Sequence, residues 1–386
     1  MKLNLTNPGH IKIGLLSEGV SFDQNTLKGI GSLYMEKTYH FGNSDIGLSG
    51  KVGLPPVLLI PPTKDVEETA VGVHYRADSP WKVKIGKDAQ KFLFYKKEKC
   101  TQIDYLKRPQ FYGKKLENGK NCEDIFDFFT KYALGIFIYG GCLFWEKGMP
   151  CKFCSLGKTR KTVGKKAVKV ITPELAEEAM KLVIKHSKDE VRYLNYCSGT
   201  RSDPNTGYKE LLKILRIIKK ISPKKFVQHL VFHPPIEFEW YDQMKEAGLD
   251  TVTVCKEIIN RELFNQICPG KSQIYSHEKY FEALNYAVKI FGKGNVYCTL
   301  VAGLEPLDEM FDKLEELAEK GIVPSLNIFH PDKGSALRNE KTPTIEYLLD
   351  MAHRVNDIFT KHNFMPEIGG FVRNSIDGEV YRGYFD

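Results

Sequence analysis

No stretch of this chain is both long enough and apolar enough to cross a bilayer. The longest apolar run, residues 132–145, is short and interrupted by glycine. The opening residues, MKLNLTNPGHIKIG, lack the apolar core of a secretion signal. The nine cysteines are odd in number and have no regular pairing, so a disulfide framework is not indicated. We therefore expect a cytoplasmic protein without a membrane partner.

Recognised nucleic-acid-binding motifs, internal repeats and low-complexity linkers are also missing. The net charge is +8 and is carried mainly by lysine, but the basic runs lack the interleaved aromatics of nucleic-acid-binding surfaces. These lysines are either solvated surface residues or attract an anionic ligand such as a nucleotide phosphate. With 386 residues, 42% of them hydrophobic and 27% charged, the chain has the composition of a globular protein.

Three cysteines with close spacing carry the strongest chemical signal. Cys142, Cys151 and Cys154 form a C-x8-C-x2-C pattern, and the aromatic Phe153 precedes the last of them. Thiolates suit both iron–sulfur clusters and zinc, but structural zinc needs a fourth ligand at similar spacing, and the next cysteine is the distant Cys197. The pattern favours three ligands of a [4Fe–4S] cluster whose fourth iron stays open. Zinc and unrelated buried cysteines remain alternatives.

Strand-like and helix-like patterns alternate over residues 131–343. This rhythm predicts an α/β fold, a partial or full (β/α) TIM-like barrel of about six βα units. Chemistry in such barrels gathers at the carboxyl ends of the strands, and Cys142 directly follows the first strand. The predicted strands are GIFIYGG, VRYLNYCSG, FVQHLVFHPP, DTVTVCKEII, GNVYCTLVAGLEP and VPSLNIFHPD.

Two further segments flank the predicted barrel. Residues 1–130 are richer in Gly, Pro and Thr and predict a mostly β or α+β extension that packs on the barrel. Residues 344–386 predict a helix followed by a capping tail. His74, Tyr75 and Arg76 in the extension are candidates to approach the site.

These motifs together resemble the radical S-adenosylmethionine (radical SAM) superfamily, in its biotin synthase-like branch, over roughly residues 135–337. CKFC matches the second half of the superfamily's usual C-x3-C-x2-C loop, whereas the first gap is longer. The resemblance implies a [4Fe–4S] cluster held by the three cysteines, bound S-adenosylmethionine (SAM), and an electron donor such as flavodoxin or ferredoxin. The cofactor radical would then abstract hydrogen from a substrate kept in a dry site.

Four strand-end stretches carry the implied SAM contacts. CSGT stands where the superfamily places its glycine motif, although the common Gly-Gly-Glu is missing. Ordinary roles stay open for some of these residues: Gly199 and Gly303 as turn glycines, and Glu257 as a core carboxylate paired with a lysine. Cys197, Cys255, Cys268 and Cys298 are expected to pack in the barrel. The implied SAM-binding residues are Phe153, Ser198, Gly199, Thr200, Glu257, Gly303, Glu305 and Asn327.

The C-x8-C-x2-C spacing resembles that of the queuine lyases of queuosine salvage. Those enzymes release queuine from queuosine 5′-phosphate by breaking the base–ribose bond, so the resemblance implies a nucleotide substrate and a C–N lyase. A cationic base needs carboxylates, and a phosphate needs cations. The candidate substrate contacts are Asp203, Arg201, His233, Glu237, Lys271 and His330.

Two other functions are left open by the sequence. One is a biotin synthase- or HydE-like radical SAM enzyme that acts on a small amino-acid-derived or sulfur-containing substrate. The other is a non-catalytic metal-binding scaffold. The sequence predicts neither the residues that act on the substrate nor the oligomeric state.

Overall fold

The computed structural model describes residues 2–37, 53–62, 68–130, 132–163, 168–222, 226–365 and 372–386. Its amino-terminal part is a helix on a mostly antiparallel sheet of strand order β1-β4-β5-β6-β2-β3, which is the α+β form of the predicted extension. The elements are α1 Pro8–Glu18, β1 Ser21–Phe22, β2 Val57–Ile60, β3 Thr69–Gly72, β4 Trp81–Ile85, β5 Lys91–Tyr95 and β6 Glu98–Tyr105.

Helix α1 was not predicted from the sequence, although its start signal is present. The Asn7 side chain accepts hydrogen bonds from the backbone N–H groups of Gly9 and His10, and Pro8 occupies the first turn. The helix is buried on nearly all sides. It therefore lacks the one-sided apolar pattern by which a surface helix is recognised.

The second sheet is a curled half-barrel of strand order β13-β12-β11-β10-β9-β8-β7. Strands β8 to β13 are parallel neighbours, so the predicted partial barrel and its six parallel strands are confirmed. An unpredicted strand, β7, pairs antiparallel with β8. The strands are β7 Phe126–Thr130, β8 Tyr132–Phe137, β9 Val191–Cys197, β10 Val227–Phe232, β11 Thr251–Glu257, β12 Val296–Ala302 and β13 Ile322–Ile328.

Helices connect the parallel strands and cover the outer face of the half-barrel. Helix α4 begins after Thr172, whose side chain accepts from the N–H of Leu175, with Pro173 in the first turn as the sequence predicts. The helices are α2 Leu143–Glu146, α3 Leu156–Val163, α4 Pro173–Ser187, α5 Asn205–Ile221, α6 Trp240–Ala247, α7 Arg261–Ile267, α8 Pro269–Ile274, α9 His277–Phe291, α10 Leu307–Glu319, α11 Ile345–His362 and α12 Asp377–Tyr381.

The pleat of the strands separates a helix-covered outer face from a concave inner face. Tyr196 and Gln228 lie on the outer face, where the Gln228 amide donates to the carbonyl of Gly248 at the end of α6. Alternation places Asn195 and His229 on the opposite, concave face. The concave face thus carries polar side chains across neighbouring strands.

The carboxyl-terminal tail joins the two sheets. The N–H of Ile328 on edge strand β13 donates to the Asn374 carbonyl oxygen over 2.9 Å, and the N–H of Gly72 on β3 donates to the Arg373 carbonyl oxygen over 2.9 Å. Asp377 accepts from the Ser325 hydroxyl over 2.7 Å. The tail covers the open edge of the half-barrel, as exposed edges require. The predicted division at residues 130/131 and 343/344 stays a prediction, but β7, which precedes the first boundary, belongs to the barrel sheet.

Among the described residues, no helix combines the length and apolarity needed to cross a membrane.

A buried ion pair holds the tail against α1. The Lys12 Nζ and Glu379 Oε2 atoms are 2.7 Å apart, both side chains are about 1% exposed, and Lys12 also donates to the Val372 carbonyl. Replacing Lys12 with Met should lower the free energy of unfolding by about 3 kcal/mol, because Glu379 keeps its buried charge without its main partner. Denaturant unfolding measures the change.

The double variant Lys12→Met/Glu379→Leu is the informative control, since it removes both charges and should recover most of the lost stability. Lys82→Met, which breaks an exposed pair with Asp23, should change stability by less than about 1 kcal/mol. A Lys12→Met loss no larger than that of Lys82→Met would contradict a stabilising role for the buried pair.

Lys256 is a second buried cation. It is fully buried, its Nζ lies 3.4 Å from the centroid of the Phe264 ring, and that atom has no hydrogen-bond partner in the described part of the chain. Burial lowers the pKa of Lys256 from 10.5 to about 7. The unfolded chain therefore binds more protons than the folded protein between these two values, so folding stability should rise with pH across that window.

Replacing Lys256 with Met should stabilise the protein at pH 7 and flatten this pH dependence. The wild-type slope is at most about 1.4 kcal/mol per pH unit. Urea unfolding at pH 7, 8 and 9 measures the slope for both proteins. Equal slopes would show that another group causes the pH dependence.

Candidate functional site

The three cysteines lie on one segment after strand β8, which we call the cluster loop, residues 142–154. Main-chain hydrogen bonds attach this loop to three parts of the half-barrel. The N–H of Leu143 donates to the Thr200 carbonyl after β9 over 2.8 Å, and the N–H of Lys152 donates to the Ile267 carbonyl at the end of α7 over 2.8 Å. The Lys152 carbonyl accepts from the N–H of Ala336 over 2.8 Å. The loop therefore sits at the carboxyl ends of the strands, as predicted.

Gly199 allows the loop to approach β9 closely. A Cβ atom on Gly199 would lie 1.7 Å from the Gly141 carbonyl oxygen and 3.1 Å from the Cβ of Cys142. The N–H of Gly199 donates to the Tyr139 carbonyl over 2.9 Å. Only glycine fits this contact between backbones, so the residue has a structural role at the site whether or not it also contacts SAM.

All nine cysteines are free thiols. Burial raises the pKa of Cys154 to about 11, and the neighbouring Cys151 and Cys142 add to the shift. The N–H of Leu156 lies 3.4 Å from the Cys154 sulfur and donates to it. A hydrogen bond with Cys268, together with burial, holds the pKa of Cys151 well above its usual value. Cys268, predicted only to pack in the barrel, thus touches a predicted cluster ligand.

The donor set fits an iron–sulfur cluster. In the part of the chain that the structure describes, no three Cys, His, Asp or Glu side chains surround a single-ion site. A four-iron cluster does not require such a site, because each thiolate binds a different iron. Backbone N–H groups directed at sulfur, as at Cys154, are typical neighbours of cluster ligands.

Glu257 ends strand β11 in a strained conformation. Its φ is +71°, a value that non-glycine residues rarely adopt, and the strand register shifts between Cys255 and Glu257. The Glu257 carboxylate lies 2.6 Å from the Lys271 Nζ, which also donates to the Cys255 carbonyl over 2.8 Å. Burial disfavours the lysine charge, but Glu257 together with the neighbouring Tyr280, Cys151 and Cys255 keeps the pKa of Lys271 well above its usual value. The ion pair between Glu257 and Lys271 is the lysine pairing that the sequence analysis kept as an alternative role for Glu257.

Several other predicted SAM contacts have structural partners. The Glu305 carboxylate accepts from the N–H groups of Ile259 and Asn260 over 2.8 to 3.0 Å, which fixes the turn before α7. Gly303 has a φ of +102° and donates its N–H to the Tyr347 hydroxyl. Contacts of these two residues with SAM stay predictions.

The remaining predicted SAM contacts differ in their surroundings. The Ser198 hydroxyl donates to the Gly199 carbonyl, and Thr200 is buried against the cluster loop. Asn327 pairs with Ser375 of the tail, and Phe153 is half-buried on the loop itself. Their SAM contacts also stay predictions.

The cations predicted to bind a phosphate have structural settings of their own, and their contacts with a substrate stay predictions. Arg201 pairs with Glu210 and lies over the Tyr139 ring, 4.3 Å from its centroid. Lys271 forms an ion pair with Glu257. Burial lowers the pKa of His233 to about 3, so this imidazole is neutral at physiological pH.

The two predicted carboxylates lie at the rim rather than inside the half-barrel. Asp203 accepts from the N–H of Asn205 and the hydroxyl of Thr206, and it is exposed. Glu237 is also exposed and accepts from the Asn205 amide. Both side chains fix the start of helix α5, and their contacts with a substrate stay predictions.

His330, another predicted substrate contact, meets the amino-terminal extension. Its ring centroid lies 3.9 Å from that of His74, and its Nε2 lies 3.3 Å from Asp332 Oδ1. Lys37 and Arg373 lie close to the same place, and the sequence analysis missed both. No local motif could have found them, because long-range contacts between the extension, the barrel and the tail bring them together.

The fold and the site together define a partial-barrel protein with a three-thiol loop at the carboxyl ends of its parallel strands. The model of the radical SAM superfamily matches residues 138–318, which contain this loop and strands β9 to β12. Residues 138–318 form a radical SAM domain, and the members of that superfamily use a [4Fe–4S] cluster and SAM as cofactors.

Known relatives are distant. Bacteriochlorophyllide c C-7(1)-hydroxylase of Chlorobaculum limnaeum is 26% identical over 260 residues, which cover 64% of this chain and 65% of the relative, slightly less than two thirds. The hydrogenase maturase HydG of Carboxydothermus hydrogenoformans is 15% identical, with 62% of this chain and 54% of that chain covered and a TM-score of 0.46. Methylornithine synthase (PylB) is 12% identical, with 68% and 72% covered and a TM-score of 0.43.

Single replacement of Cys142, Cys151 or Cys154 with Ala should abolish cluster binding, because each thiolate holds a separate iron. Iron content should fall from about four per chain to below about one, with loss of the brown colour. Cys122→Ala and Cys298→Ala, which remove buried thiols outside the loop, are matched controls that should keep the full iron content. Retention of four irons in a loop variant would show that its cysteine is not a ligand.

Proposed function

We propose that this radical SAM enzyme acts on a compact polar substrate held against the concave face, with queuosine 5′-phosphate as the favoured substrate and queuine as the released product. The observation that carries this proposal is a buried acceptor on the concave face, the Asn195 Oδ1 atom, which has no hydrogen-bond partner among the described residues. Buried polar atoms rarely stay unpaired, so a ligand N–H or O–H group is the fitting partner.

A second acceptor of the same kind lies at the carboxyl end of β10. The His233 Nδ1 lies 2.9 Å from the Pro234 carbonyl oxygen, so this nitrogen carries the proton and the buried Nε2 is left as an unpaired acceptor. The Tyr275 hydroxyl lies 2.7 Å from the same Nδ1. Burial is the main cause of the raised pKa of Tyr275, and the nearby Cys142 adds to it. The acceptor is therefore near the cluster loop.

A deazaguanine base carries amino and amide N–H groups that such acceptors can bind. When bound, the cluster and SAM supply the one-electron chemistry that removes a hydrogen atom from a substrate carbon. The chain's own contribution is to hold that carbon in place and to exclude water, because the radical would otherwise react with other bonds. The tail and the extension cover the half-barrel edge and support the exclusion of water.

Hydroxylation is the second candidate function, favoured by the 26% identity to bacteriochlorophyllide c C-7(1)-hydroxylase. A large macrocycle would need a broad apolar surface. The concave face instead presents His229, whose ring nitrogens lie 2.7 and 2.9 Å from the hydroxyls of Thr251 and Thr253. This polar lining supports the compact substrate over the macrocycle.

The deciding experiment is anaerobic turnover of the reconstituted enzyme with SAM, a reductant and queuosine 5′-phosphate. We expect free queuine and 5′-deoxyadenosine by chromatography, and neither from the Cys142→Ala variant. Formation of 5′-deoxyadenosine without queuine would overturn the lyase proposal and would favour the hydroxylase or a small amino-acid-derived substrate.

Asn195→Leu should lower kcat/KM about tenfold, because one hydrogen bond to the substrate is lost. Asn118→Leu changes an exposed loop of the extension and is the matched control. An unchanged kcat/KM for Asn195→Leu would remove the observation on which the substrate assignment stands.

A further inference from the structure

A buried hydrogen-bond donor without an acceptor lies inside the cluster loop. It is the Nε1 atom of Trp145, which is shielded from solvent and has no hydrogen-bond partner among the residues that the structure describes. An indole N–H group can only donate, and buried polar groups are rarely left unpaired. A group that binds at the loop is therefore expected to supply the acceptor.

Trp145 lies between two of the three predicted cluster ligands. Its backbone N–H donates to the Cys142 carbonyl oxygen over 3.0 Å. Its ring packs on Gly157 in the first turn of α3, where a Cβ atom on the glycine would lie 2.5 Å from the Cε3 atom of the indole. The N–H of Leu156, the residue before Gly157, donates to the Cys154 sulfur over 3.4 Å. The indole thus stands against the same turn that holds the Cys154 sulfur.

Contacts of the neighbouring residues fix the position of this ring. Phe144 packs on Gly270 of α8, where a glycine Cβ would lie 2.4 Å from the Cδ1 atom of the phenyl ring. On the other side of Trp145, the Glu146 carboxylate accepts from the Tyr139 hydroxyl over 3.1 Å. Helix α2 is therefore held on both sides of Trp145, and an indole in such a crowded place keeps one rotamer.

The surroundings of Cys154 indicate which atom accepts. Burial raises the pKa of this thiol, whereas the Trp145 indole and the Leu156 N–H oppose the shift, because both favour a negatively charged sulfur. A cysteine that binds iron is a thiolate, so its sulfur and the adjoining sulfides become acceptors for N–H groups. A trapped water is the alternative acceptor for the indole.

We propose that the Trp145 Nε1–H group donates a hydrogen bond to a sulfur of the bound cluster, either the Cys154 thiolate or an adjoining sulfide. Hydrogen bonds to cluster sulfurs stabilise the reduced cluster, which carries one more negative charge, and so raise its reduction potential. Trp145 thereby favours the transfer of one electron to the cluster from the electron-donor protein, which is oxidised in that step. The proposal concerns the cofactor and does not depend on the identity of the substrate.

The test is an anaerobic redox titration of the reconstituted protein, followed by electron paramagnetic resonance of the reduced cluster. Trp145→Phe keeps an aromatic ring on Gly157 but removes the donor. We expect full iron content and about tenfold less reduced cluster at a fixed potential, which equals a shift of about 60 mV to lower potential. Trp240→Phe, in helix α6, is the matched control and should titrate as the wild type does.

A second variant keeps the test decisive if Trp145→Phe binds less iron. Incorporation of benzothienylalanine at position 145 replaces only the indole N–H with sulfur and preserves the shape of the ring. A wild-type potential in this variant, with full iron content, would overturn the proposal and indicate a trapped water. Loss of iron from this variant, with an unchanged unfolding midpoint, would support the contact, since only the donor has been removed.

Proton hyperfine spectroscopy of the reduced cluster gives an independent measurement. After reconstitution in heavy water, the wild type should lose a proton coupling that both position-145 variants lack from the start and that Trp240→Phe keeps. The same exchangeable coupling in all four proteins would overturn the contact. These measurements need no substrate, so their failure would leave the lyase proposal standing, and absence of queuine release would leave the hydrogen bond standing.

Discussion

Main-chain hydrogen bonds to the cluster loop are the constraint on which the rest of the site depends. Leu143 and Lys152 bind carbonyls that follow β9 and end α7, and the Lys152 carbonyl binds the segment after β13. Because backbone groups make these attachments, the cysteine side chains remain available as ligands. The loop is positioned by parts of the half-barrel that are far apart in sequence, so its geometry depends on the whole sheet being formed.

Residues around this loop adopt unfavourable local geometry that a barrel without a functional site would not need. Gly199 leaves no room for a side chain beside Gly141, and Glu257 holds a φ of +71° while its carboxylate is paired with Lys271. A strained, partly buried carboxylate persists only where its surroundings hold it in place. Both features lie at the carboxyl ends of β9 and β11, the edge at which barrel enzymes place their chemistry.

Sequence reasoning predicted the parallel strands and their helices because local periodicity determines them. It missed α1, which is buried on nearly all sides, and β7, whose pairing with β8 leaves no signal in a single strand. The candidate site likewise combines a feature that local sequence predicts with features that it does not. The cysteine loop carries a local spacing, whereas the partners of Arg201 and Lys271 and the approach of His74 to His330 follow from tertiary contacts.

The arrangement assigns different tasks to the two parts of the molecule. The half-barrel offers two neutral acceptors, the Asn195 Oδ1 and the His233 Nε2. The extension and the tail cover the open edge of the half-barrel. A substrate with N–H donors would satisfy both acceptors, whereas an apolar molecule would leave them unpaired. Substrate choice then depends on contacts outside the cysteine loop, and relatives that share only the radical SAM domain need not share the substrate.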